Sequence, residues 1–576
     1  MMNSRILVTS KSAISPSSRP FFDEVPRIEV WFAIGLFVLL LVLKIFYAVH
    51  YRIDSDEPQH LHVVWGWTQH MIPYRDYFDN HSPLFQMLCA PLFATLGTRA
   101  AIIIPMRLAM IPVFALSVYF VGRIAGTLVS ARAGLWAAVF AALWPRFFFV
   151  TTEFRPDDLW AVLWLAALFS GISGPMTLPR AFIIGLLLGT SLCVSAKTVL
   201  LLVSMAAGTI MILILQARMG QKIAWLRLLR LSCVIAAGAA IPPAMLSLFF
   251  VLHGAFGQMF YCVITHNILP AAGAAAPGVL WLPKWVAFLA IPIGIGVYLF
   301  RRSGGNPKGM PALWIWFVTS FFYATLKAFW PFVTREDYVV SDPLFMGILA
   351  ALVVSLPEIW PRIFAPLRFA LPLSIALLGL GFILKSDSPF QNRTKDKISM
   401  VETALRLTEP SDYVMDSKGE TIYRRRPFYY VLEGLTGKRM KAGLIPDTIP
   451  ERLVETETPL TTVRRMPSKA ADFIRKNYLP IAFRLSVLGK ILTGSDEKFG
   501  FDIAVPSLYS IVTEFGSLEG TLDGKSICGP ARMERGHHEI RRLNGSGRLA
   551  LLWARAAEKG CDPFSPVLPD VWTDQD

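Results

Sequence analysis

Charged residues are scarce in this chain, at 17% of 576 positions against 54% that are hydrophobic. A soluble globular protein of this length needs more polar surface, so that class is excluded. Cysteine is scarcer still, with six scattered residues. Cys193 and Cys233 fall inside apolar runs as small fillers, while Cys528 and Cys561 lie in a polar C-terminal region where an oxidising compartment would let them pair. That region has no glycine loop to cradle phosphate, no Cys/His metal spacing and no nucleophile elbow. The Ser- and Pro-rich first 29 residues lack a cleavable apolar core, so the run from Trp31 reads as a retained signal anchor. The net charge of +15 is dispersed over loops, which excludes nucleic acid as a partner.

What the chain has in quantity is apolar runs, about eleven of them near the length that a bilayer core demands. They fall at 31–49, 101–121, 133–150, 159–172, 181–196, 199–215, 229–252, 279–300, 312–330, 339–356 and 369–384. Lys and Arg near span ends are retained in the cytoplasm. Arg123, Arg132, Arg180, Arg218, Lys222 and Arg227 share one side, and the other is sparse, with Arg52, Arg75, Arg99 and Arg155 among its few. The N-terminus is therefore expected inside, and an odd number of spans puts everything after Lys385 outside.

The expected fold class is an all-α polytopic membrane domain with a soluble C-terminal α/β and β domain on the outer face. The expected segments are a cytoplasmic tail at 1–29, a transmembrane domain at 30–385, an α/β subdomain at 386–498 and a β-rich, sandwich-like subdomain at 499–576. Residues 413–419, 428–432, 507–513 and 548–553 read as strands, and 468–477 as a helix led by a Ser cap. Nothing demands a eukaryotic secretory host, so the expected location is a bacterial inner membrane.

Ionisable groups concentrate on the expected outer side. The first outer loop carries Asp54-Ser-Asp-Glu-Pro-Gln-His60 and then Pro73-Tyr-Arg-Asp-Tyr-Phe-Asp-Asn-His81-Ser-Pro83. It supplies Asp56, Glu57, His60, Arg75, Asp79 and His81, and the second outer loop adds Glu153, Arg155 and Asp157. Lys197 stands at the outer end of the fifth run, Arg335 and Tyr338 precede a late one, and Arg107 sits a turn or two inside the second. Such a set suits a lipid-linked phosphate whose tail stays in hydrocarbon while its head meets cations at the interface. Arg and Lys neutralise a phosphate leaving group, and a carboxylate takes the proton of an acceptor hydroxyl. Ordinary readings stand beside this one: His60 as polar rim, Glu153, Arg155 and Asp157 as a surface ion-pair group, Lys197 and Arg107 as snorkelling cations. A secondary transporter or flippase is the rival class. Its marks, related halves and midplane charges, are missing from this sequence. A non-catalytic scaffold that binds a lipid-linked sugar is the third.

Asp56-Glu57 with the His and aromatic residues after it, the 73–83 segment, Arg107, and Glu153-Phe-Arg-Pro-Asp157 together resemble the GT-C glycosyltransferases. More narrowly, they resemble the protein-mannosyltransferase and aminoarabinose-transferase-like branch that uses polyprenyl-phosphate sugars. The resemblance covers roughly 31–385 and leaves the terminal domain outside. It implies inverting transfer of a sugar from a polyprenyl-phosphate donor to a lipid, glycan or protein acceptor at the periplasmic face. It implies Asp56 as base with Glu57 beside it, and His81, Lys197, Arg335 and Tyr338 near the donor; His60, Arg75, Asp79, Arg107, Glu153, Arg155 and Asp157 are expected around the substrates from their place in the same loops. His81 stands where the family has Lys. No cofactor is required; metal dependence, donor sugar and oligomeric state stay open.

Overall fold

Backbone inside hydrocarbon must satisfy its own N–H and C=O groups, so long apolar runs fold as helices. The computed structural model describes residues 25–268, 309–330, 333–493 and 497–565. Among these, the first half holds α1 (Arg27–His50), α2 (Asp56–Thr68), α3 (Leu84–Leu96), α4 (Ile103–Leu108), α5 (Ile111–Leu128), α6 (Ala131–Ala142) and α7 (Pro145–Val150). It continues with α8 (Pro156–Ile172), α9 (Leu178–Val194), α10 (Thr198–Arg218), α11 (Trp225–Leu252), α12 (Gly309–Phe329), α13 (Asp342–Ile359) and α14 (Ala370–Ser386). Among the described residues, six helical stretches are long and apolar enough to cross a membrane: α1, α4 with α5, α10, α11, α12 and α13. The expected run at 279–300 lies outside the described residues.

Local chemistry sets where the runs break. Pro145 has no N–H and splits the expected 133–150 run into α6 and α7. The stretch expected to be one polar loop after α1 instead holds two helices, α2 and the apolar α3. Close packing of α9 on α11 rests on small residues, since a Cβ at Gly185 would lie 2.2 Å from Ile235 O and one at Gly238 2.5 Å from Phe182 O. The buried Lys44 of α1 donates to Phe148 O at 2.6 Å and Thr151 Oγ1 at 2.7 Å, tying α1 to the end of α7.

After α14 a second core begins, around Leu407, Leu453, Val487 and Leu551. It is flanked by α15 (Lys395–Leu407), α16 (Gly434–Lys441) and α17 (Ser468–Asn477). Among the described residues nine strands form one sheet, six of them on the path β1 (Val414–Met415), β2 (Leu460–Thr461), β4 (Leu485–Leu492), β9 (Gly536–Trp553), β6 (Ser507–Leu522) and β7 (Lys525–Ser526). Off the path, β3 (Tyr478–Ala482) pairs β4, β5 (Lys498–Ile503) pairs β9, and β8 (Ala531–Met533) pairs β6. Because Gly489–Leu492 of β4 pairs antiparallel with Leu549–Leu552 of β9, the strands after 499 extend the first sheet where a separate sandwich was expected. The strand expected at 413–419 shrinks to two residues, and 428–432 is not a strand. Its aromatics pack instead on the first outer loop, where Phe78 and Tyr430 rings sit 5.1 Å apart. Helix α17 forms as expected, but Pro467 holds the cap position and Ser468 makes no capping bond. Cys528 and Cys561 are both free.

Candidate active site

A cavity of about 1450 Å³ lies where loops between the helices meet the C-terminal domain. Its inner wall is Asp54, Asp56, Gln59 and His81 from the first loop, Arg155 and Asp157 from the second, and Lys197, Arg335 and Glu336 from later ones. The facing wall is Lys418, Glu433, Lys438, Lys441, Arg465 and Lys469 of the C-terminal domain.

Each inner group is placed by a local rule. Asp56 opens α2, the end of a helix that favours an acidic side chain. Arg155 stands just before α8, and Pro156 at the next position fixes the start of that helix. Its guanidinium, buried with 5% of its side chain exposed, reaches Asp56 Oδ2 at 3.0 Å, Asp54 Oδ1 at 3.1 Å and Asp157 Oδ2 at 3.3 Å. Glu153 and Glu336 oxygens lie at 3.6 Å and 3.7 Å. Arg335 pairs with Glu153 and Glu336 and donates to Tyr51 Oη at 3.1 Å. Lys197 pairs with Asp337, which Thr334 holds through a capping box. The Lys418 ammonium pairs with Asp56 Oδ1, so both oxygens of Asp56 carry a cation.

Burial alone would raise Asp56, but Lys418, Arg155 and His81 outweigh it and hold the carboxyl well below the usual range. Burial and the nearby Glu57 carboxylate push Glu153 up to about 8. Asp54, Glu153 and Glu336 bring carboxylate oxygens within 4.8 Å of one another, a spacing that would suit a cation. Arg155 and Arg335 already neutralise that trio, so a divalent ion would have to displace a guanidinium.

The remaining expected residues do not line the cavity. Glu57 is fully buried and accepts a two-point fork from Arg107, Nε to Oε1 at 2.7 Å and Nη2 to Oε2 at 2.6 Å. Arg107 spends its other donors on Tyr51 O and Arg52 O, both at 2.8 Å. Glu57 also accepts from the Phe154 N–H at 2.8 Å, so this pair joins the two outer loops behind the site. His60 is buried against Gln86, and Asp79 is buried with one oxygen 2.9 Å from His81 Nδ1. Arg75 is a surface residue forked on Asp76, and the buried Tyr338 ring lies 4.1 Å under the Arg146 guanidinium. Lys418 was missed from the sequence, where it is one lysine in a turn about 360 residues from Asp56.

A helical membrane body and a C-terminal sheet domain thus enclose a charged cavity between them. The chain is similar in fold to the crystal structure of ArnT from Cupriavidus metallidurans in the apo state. The TM-score is 0.55 at 14% identity, covering 80% of this chain and 98% of that one. ArnT from the same organism bound to undecaprenyl phosphate gives 0.54 at 13% identity with the same coverage. An Archaeoglobus fulgidus oligosaccharyltransferase tethered with an acceptor peptide aligns less well, with a TM-score of 0.46 at 11% identity over 83% of this chain and 74% of that one. No protein-family model matches the sequence, and no curated protein does. The resemblance to the GT-C glycosyltransferases and their aminoarabinose-transferase-like branch thus holds at the level of the fold.

Proposed function

We propose that this protein is an inverting glycosyltransferase that takes one sugar from a polyprenyl-phosphate donor at the outer face of a bacterial inner membrane. A lipid, glycan or protein hydroxyl accepts it. The observation that carries this reading is the cavity whose lining sets Asp56 among Arg155, Lys197, Arg335 and Lys418. In the proposed step the acceptor oxygen bonds to the anomeric carbon as its proton passes to Asp56. The bond from that carbon to the phosphate oxygen breaks, and the phosphate leaves with the electron pair. Attack opposite the leaving group inverts the stereochemistry. The cations then face the charge developing on phosphate, and the scheme needs no cofactor. ArnT bound to undecaprenyl phosphate supports the class of carrier. The bundle is taken to be multi-pass with about eleven crossings, N-terminus inside and C-terminal domain outside.

The test is incubation of the purified full-length protein with a panel of polyprenyl-phosphate sugars, following release of the lipid phosphate. Wild type should turn over one donor, and Asp56→Asn, at an unchanged thermal midpoint, should lower the rate about 10²- to 10⁴-fold, the size of a lost general base. Lipid crossing the vesicle bilayer without bond cleavage would instead establish a flippase.

A further inference from the structure

Asp56 has a difficulty as a base: both of its oxygens are occupied by cations. A carboxylate in that state is a poor proton acceptor until one cation moves, and the two cations differ in what else holds them. Arg155 cannot leave readily, because Asp54, Asp157, Glu153 and Glu336 grip the same guanidinium. Lys418 has one ion-pair partner among the described residues, which is Asp56. Its side chain is a flexible four-carbon stem ending in a point charge, the kind of cation that changes partners easily.

The backbone beneath Lys418 is by contrast fixed. Gly419 has φ +76° and sits against His62, where a Cβ would come within 2.6 Å of the His62 Cβ. Asp416 accepts from the Gly419 N–H at 2.6 Å and the Thr421 N–H at 2.8 Å, and Ser417 O accepts from the Leu432 N–H at 2.7 Å. The turn is clamped and the ammonium lines the cavity, so the one part free to respond to a ligand is the lysine tip.

We propose that Lys418, supplied by the C-terminal domain, is a phosphate ligand that releases Asp56 when the carrier phosphate enters, so that donor binding itself frees the base. This rests on the glycosyltransferase reading above. The ammonium exchanges one anionic oxygen partner for another and no bond is made, so the switch needs no further reactant. It also gives the C-terminal domain a part in binding, since the domain delivers the cation from the wall opposite Arg155.

The experiment is a double-mutant cycle on full-length protein in detergent, titrated with undecaprenyl phosphate and read as Kd. Lys418→Met should weaken binding roughly tenfold or more, the size of one charge-assisted hydrogen bond, and Lys418→Arg should recover most of that loss. Asp56→Asn should tighten binding while Lys418 is present, because the lysine is then already released, and by several-fold less in the Lys418→Met background. Thermal midpoints of all variants separate a folding defect from a binding one, and the arginine variant carries the test where methionine unfolds the protein. If wild type binds the lipid but the two substitutions act independently, or Lys418→Met leaves Kd within about twofold, the switch is wrong and the glycosyltransferase reading survives. If wild type shows no binding, that reading fails and the switch with it.

Discussion

At the scale of single residues, the adjacent Asp56 and Glu57 have opposite fates. One faces the cavity with a quarter of its side chain exposed; the other is fully buried against Arg107. Residues adjacent on a helix point about 100° apart, so an acidic pair at a helix start divides naturally into a wall group and a site group. The division predicts different phenotypes. Arg107→Met leaves the Glu57 carboxylate buried and unpaired, and should cost about 3–5 kcal/mol of stability, seen as a lowered thermal midpoint. Adding Glu57→Met to it should recover much of the loss, since an apolar pair of similar volume can replace a buried ion pair. Asp56→Asn should leave the midpoint near wild type and lower turnover by about 10²- to 10⁴-fold. A normal midpoint in Arg107→Met with lost carrier binding would instead make Arg107 a donor contact.

At the scale of elements, the site depends on where the 416–422 turn meets α2. His62 Nδ1 lies 2.8 Å from Ile422 O, and Gly419 gives the space for that approach. A Cβ there meets His62 and also forces a side chain into the left-handed region, which alone costs about 1–3 kcal/mol. Gly443, with φ +72° and nothing within 4 Å of an added Cβ, carries the backbone cost without the clash. Gly419→Ala should therefore raise hydrogen exchange along α2 and lower turnover, whereas Gly443→Ala should leave both nearly unchanged; equal effects of the two would show that the contact with His62 is unimportant. The sequence made the inner wall legible, because Asp56, Arg155, Asp157, Lys197 and Arg335 flank apolar runs at the expected water boundary. It hid Lys418, since no local pattern records a contact that far along the chain. It misled at 428–432, where aromatic and β-branched residues suggest a strand but pack on Phe78 and Tyr74 instead. Hydropathy likewise joined 133–150 into one run, because it does not register the missing N–H of Pro145 that ends α6 and starts α7.

At the scale of the whole molecule, the cavity exists because two cores are held together across the first outer loop. Thr394 Oγ1 donates to Val49 O at 2.9 Å, and the Arg393 N–H to His50 O at 2.9 Å. Lys397 of α15 donates to Ile53 O at 2.7 Å, on the chain that leads into Asp54 and Asp56. Burial at this seam lowers the Lys397 ammonium from 10.5 to about 8, against the opposing pull of Glu420. A lysine depressed in the folded state binds fewer protons there than in the unfolded chain between those two values, so stability must rise with pH through that window. Below about 8 both states are charged and the full burial cost remains, on the order of 3 kcal/mol; above about 10.5 both are neutral and it is gone. Lys397→Met removes this titration but also the bond to Ile53 O. Its thermal midpoint relative to wild type should therefore be highest near pH 7 and fall as pH rises from 8 to 10.5. A difference that stays flat across that range would mean the seam admits water freely around Lys397, and the two cores would then not be sealed against each other at the entrance to the site.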